Sequence, residues 1–84
     1  MSETSTEHKA LLFIVRSIVD QPDEVRITVG TGSRQNTTRY EVQVGDGDMG
    51  RVIGKRGRTA EAIRTVVRAA GAAAGNSIEV EFVD

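Results

Sequence analysis

Two glycines three residues apart, Gly54 and Gly57, interrupt the second half of the chain, and only Lys55 and Arg56 lie between them. An alternating strand pattern and the short apolar run Val52-Ile53 precede them, and an amphipathic helical pattern follows. Glycine lacks a Cβ and accepts φ > 0, so the pair reads as a sharp turn that another backbone can approach closely. A helix opening just after Gly57 directs its free N–H groups and the positive end of its dipole at the same place. Lys55 and Arg56 add two mobile positive charges. Such a turn is a clamp for phosphate, and a nucleic-acid backbone is the polyphosphate that suits it best.

The net charge of −1 argues against a polyanionic ligand only if charge is spread evenly. It is not. Arg51, Lys55, Arg56, Arg58, Arg64 and Arg68 face the single acid Glu61 within one segment, whereas the rest of the chain holds five basic and eleven acidic residues. The position of charge, more than its sum, steers a polyanion. An ordinary solvated helix face would intersperse acids at i,i+4, so the six cations are candidate binding residues.

Eighty-four residues suffice for one small domain with a thin core. The expected division is a flexible N-terminus over 1–7 and one domain over 8–84. The chain has no cysteine, which excludes disulfides and thiolate metal sites, and its one histidine, His8, cannot form a metal cluster. No apolar run approaches the roughly 20 residues of a membrane span. Met1–Glu7 is polar and acidic, unlike a signal peptide. A cytoplasmic protein with no cofactor, metal or small-molecule substrate is expected.

Leu11, Ile14, Val15 and Ile18 fall on one helical face, and Pro22 ends that helix. Phe13 points away from this stripe. Val25, Ile27 and Val29, then Tyr40, Val42 and Val44, alternate with polar residues and predict two half-buried strands joined by a long polar loop over Gly30–Thr38. Asp46 or Asp48 is expected to cap a short helix running through Ile53. The turn follows, then a helix from Arg58 to about Ala73 with Ala60, Ile63, Val67, Ala70 and Ala74 inward, stopped by Gly75-Asn76. Ile78, Val80 and Phe82 predict a last strand. This order is α-β-β-α-α-β. It predicts an α+β fold: a three-stranded mixed sheet, one antiparallel and one parallel pair, covered on one face by three helices.

Gly45-Asp46-Gly47-Asp48-Met49-Gly50 spells G-x-G-x-x-G, but two aspartates would repel a pyrophosphate and the chain is too short for a doubly wound sheet. The Walker pattern fails as well, because Arg56 follows Gly54-Lys55 where Ser or Thr is required. Without cysteine, and with His8 alone near one end, no nucleophile–base pair can be drawn. The chain is therefore not expected to be an enzyme.

The helix–turn–helix between strands, with Val52-Ile53-Gly54-Lys55-Arg56-Gly57 at its centre, resembles the KH domain. The N-terminal helix and extra strand place it with the type II topology. From about His8 onward the chain is similar to the small single-KH bacterial KhpA family. The strings carrying that resemblance are Asp20-Gln21-Pro22-Asp23-Glu24-Val25, Asp48-Met49-Gly50-Arg51-Val52-Ile53-Gly54-Lys55-Arg56-Gly57-Arg58 and Arg64-Thr65-Val66-Val67. Ala60 departs from the broad pattern, where many KH domains carry Ile, and implies a shallower groove.

The resemblance implies single-stranded RNA as ligand, about four nucleotides long, with the GxxG loop on the backbone and the bases against an aliphatic groove. Gly54 and Gly57 would allow backbone approach, with Lys55 and Arg56 touching phosphate. Val52, Ile53, Ile63, Val42 and Val44 would shape the groove floor. It also implies bacterial post-transcriptional regulation or RNA chaperoning, as a homodimer or paired with a larger KH-containing protein resembling KhpB. The alternative is a subunit that docks a protein or ribosome through this fold, its GxxG loop vestigial; two cations between the glycines speak against it.

Overall fold

The computed structural model describes residues 5–83. Helix α1 spans Thr6–Ile18, and its start is set by Ser5, whose hydroxyl accepts the His8 backbone N–H at 3.2 Å. That side chain satisfies one of the four N–H groups a helix leaves open. Glu7 is buried one residue into the helix, where Oε2 accepts from the Tyr40 hydroxyl at 3.2 Å and the Asn76 amide at 3.3 Å. Ser5 and Glu7, expected in a loose leader, are thus part of the packed domain; residues 1–4 of that leader lie outside the described residues. Leu11 and Val15 bury the inner stripe of α1, and the backbone turns extended at Val19. A 3-10 turn over Pro22–Glu24 follows, with proline at its first position, where no N–H is needed.

Strand β1 (Arg26–Thr31) pairs antiparallel with β2 (Thr37–Gln43), and β3 (Ser77–Phe82) pairs parallel with β2 on its other side. The order β1-β2-β3 places β2 centrally. The hairpin loop is shorter than the polar run suggests: Thr31 pairs with Thr38, and Gly32 N–H closes the turn on Thr37 C=O at 2.7 Å. Asn36 supplies a left-handed residue at φ 59°, a conformation asparagine tolerates. Tyr40, Val42, Ile78 and Val80 are buried on one sheet face. On the opposite face Arg39 bridges Glu79 at 3.3 Å and Glu41 at 3.8 Å. β1 corrects the expectation of a half-buried strand, because Ile27 is only partly covered and Val29 is 52% exposed. Alternation identifies which face is apolar, but an edge strand is covered only if a helix reaches it.

Helix α2 (Met49–Ile53), a 3-10 turn (Lys55–Gly57) and helix α3 (Arg58–Ala73) form the crossover between β2 and β3. α3 buries Ala60, Ile63, Val67 and Gly71. Gly71 takes the inward place expected for Ala74, which is exposed. A Cβ at Gly71 would overlap the Ile78 side chain, so the missing side chain lets the helix lie close on β3. One core joins Leu11 and Val15 of α1, Val52 of α2, Ile63 and Val67 of α3, and the inner sheet face. The α-β-β-α-α-β order, the mixed sheet and the single helical layer are those read from the sequence.

Asp48 stands at the N-cap position of α2, yet its side chain caps no amide of that helix. It accepts the backbone N–H groups of Asp20 at 3.1 Å and Gln21 at 3.0 Å, with the Gln21 side-chain amide at 3.4 Å. Arg51 Nε lies 3.2 Å from the same carboxylate. This buried carboxylate fastens the α1–β1 connection to the start of α2.

Candidate nucleic-acid interface

Three positive-φ residues, Gly54, Arg56 and Gly57, build the turn between α2 and α3. Gly54 N–H closes α2 on Gly50 C=O at 2.9 Å, and Gly54 then adopts φ 76°, ψ 176°, a region open essentially to glycine alone. A Cβ there would also collide with the Thr59 hydroxyl. Arg56 is left-handed at φ 58°, ψ 26°, a conformation costing a non-glycine residue roughly 1 kcal/mol. Gly57 is left-handed at φ 73°, ψ 11°, and nothing lies within 4 Å of the place its Cβ would take. The first glycine is thus required by its own protein neighbours, and the second leaves an open approach to the backbone. Among the described residues no side chain caps the start of α3, so the positive pole of this 16-residue helix faces the turn.

Lys55, Arg56 and Arg58 are exposed, and among the described residues none has a carboxylate within ion-pair distance. The other three cations of the basic segment are engaged. Arg51 turns back to Asp20 at 2.9 Å and Asp48 at 3.2 Å. Arg64 donates through Nε to Val80 C=O at 3.0 Å, and its guanidinium lies 5.5 Å from the centre of the Phe82 ring, a cation–π distance. Arg64 and Arg68 both reach Glu61, at 3.5 and 3.7 Å. Charge counting along the chain could not separate these two sets, because their partners come from the α1–β1 connection, from the start of α2, from β3 and from α3 itself.

The expected apolar floor is corrected more strongly. Val52 is 0% exposed and Ile63 3%, so both belong to the core and offer no surface to a ligand. Val42 is likewise enclosed. Ile53 and Val44 remain partly accessible, Ile53 directly before the turn. Residues on the inward stripe of a helix hold the fold; only those at its margin can also line a groove. The structure therefore brings together Gly54, Lys55, Arg56, Gly57 and Arg58, with Ile53 beside them, and leaves Arg51, Arg64 and Arg68 in ion pairs.

Arg34 belongs to none of the motifs legible in the sequence. It lies with Ser33, Arg68 and Asn76 around a cleft of about 520 Å³ at the far end of α3. Among the described residues no three His, Cys, Asp or Glu side chains could hold a metal ion, and no helix is long and apolar enough to cross a membrane.

Residues 8–82 match the family described as KhpA/KhpB, KH domain. Curated relatives bear the name RNA-binding protein KhpA. That of Borreliella burgdorferi is 39% identical over the full length of both chains. That of Mycobacterium tuberculosis H37Rv is 47% identical over 75 residues, covering 89% of this chain and 88% of the relative. In Leifsonia xyli the identity is 45% over 75 residues, 89% and 93% of the two chains.

Proposed function

The chain belongs to the KhpA/KhpB family of KH domains, and on that premise we propose that it binds single-stranded RNA with its Gly54–Gly57 loop on the phosphate backbone. The observation that carries this reading is the set of three exposed cations, Lys55, Arg56 and Arg58, unpaired among the described residues, at a turn whose second glycine leaves the backbone open. Phosphate oxygens approach Gly57 and the uncapped end of α3, while Lys55 and Arg56 close over them. Ile53 offers an aliphatic edge to a base. About four nucleotides fit such a site. The role is one of binding, without catalysis. The relatives carry the name RNA-binding protein KhpA, which supports a bacterial post-transcriptional regulator or RNA chaperone working in the cytoplasm. Its partner is a second copy or a larger KH-containing protein of the KhpB kind.

The salt dependence of binding tests the reading. Neutralising three phosphates should make log K fall with log salt at a slope of about −2, since each contact on a single strand contributes about −0.7. A slope near zero would contradict a phosphate clamp and favour docking of a protein.

A further inference from the structure

Residues three and four apart share a helix face, and the stripe descending from Gly57 along α3 holds Glu61, Arg64 and Arg68. Glu61 gives one carboxylate oxygen to each arginine: Oε1 lies 3.5 Å from Arg64 Nη1, and Oε2 lies 3.7 Å from Arg68 Nη1. Helical side chains lean toward the N-terminus, so both guanidiniums are drawn back toward the turn. Glu61 itself sits four residues past Gly57, about 6 Å along the axis, with its side chain 63% exposed. It is the one acid in the segment of six cations.

A strand leaving the glycine turn along this stripe therefore meets a carboxylate first. The carboxylate repels phosphodiester and occupies donors that a phosphate would otherwise use. Arg64 is held in addition by Val80 C=O and the Phe82 ring, whereas Arg68 has Glu61 as its ion-pair partner and a side chain 51% exposed. We propose that Glu61 limits the affinity of the RNA site by holding Arg64 and Arg68 in ion pairs that an incoming phosphate must displace. The inference rests on the RNA-binding reading above. Glu61 thereby makes the contacts beyond the turn conditional, because they form only when a phosphate replaces the carboxylate.

The test is the anisotropy of a fluorescein-labelled, random-sequence single-stranded RNA titrated with the full chain at several salt concentrations. Glu61→Gln should bind roughly three- to tenfold tighter, the scale of releasing exposed ion pairs. Its salt slope should steepen by up to about 1.4, two phosphates at about 0.7 each. Adding Arg68→Gln should remove most of that gain. Glu81→Gln makes the same charge change on an exposed strand position and should gain little. Unchanged or weaker binding by Glu61→Gln, a gain that survives Arg68→Gln, or an equal gain from Glu81→Gln would overturn the inference. Lys55→Asp with Arg56→Asp separates the two levels. If that variant loses binding while Glu61→Gln is silent, this inference alone fails; if it binds as before, the RNA reading falls too.

Discussion

The Asp48 carboxylate is 1% exposed and receives the N–H groups of Asp20 and Gln21, with Arg51 at its flank. Burial opposes its ionisation, but these donors outweigh burial and hold its pKa below the ordinary value of 3.8. A depressed carboxylate pKa means stability that is complete above the unfolded-state value and is lost as pH falls through the folded one. Asp48→Asn keeps one acceptor but turns an amide N–H₂ toward backbone donors. It should therefore melt several degrees lower at neutral pH, and the gap to the native chain should narrow below about pH 4. A gap that stays constant in acid would show that the ionised carboxylate does not fasten the α1–β1 connection to α2. The sequence marks Asp48 as a helix cap or a groove residue and does not reveal this clasp, since its partners lie 27 and 28 residues away. The same holds for Arg64, whose place in a basic run does not reveal its bond to β3.

At the scale of elements, periodicity carries well. α3 begins at Arg58 and ends at Ala73 as its pattern indicates, because Gly57 and Gly75 set a start and a stop that depend on local backbone alone. The hairpin reads less well. Gly30, Thr31, Thr37 and Thr38 look like loop residues, but the ladder between β1 and β2 continues through them, since strand pairing needs backbone groups rather than apolar side chains. α3 also leaves an outward stripe of Ala62, Val66, Ala69 and Ala73, with Val66 51% exposed, and α1 leaves Phe13 73% exposed. Small side chains let a second backbone approach, and these positions avoid Lys55 and Arg56. We expect a dimer by sedimentation at micromolar concentration, weakened by Phe13→Glu or Ala73→Arg without unfolding. A monomer under those conditions would leave only a heteromeric partner.

Over the whole molecule, a net charge of −1 conceals a separation in space. The exposed sheet face neutralises Arg39 with Glu41 and Glu79, whereas the turn keeps Lys55, Arg56 and Arg58 unpaired among the described residues. Unpaired positive charge gathered at one turn can steer an approaching polyanion to that place. The basic segment was visible in the sequence; which of its members are free became visible only once the fold supplied their partners. The most direct measurement compares the RNA affinity of the native chain with that of Lys55→Asp/Arg56→Asp, with circular dichroism and melting temperature recorded on the same samples. Both residues are exposed, so the variant should keep the native spectrum and melt within a few degrees of the native chain, while binding falls at least a hundredfold. A folded variant that binds RNA as the native chain does would remove the glycine turn from the mechanism.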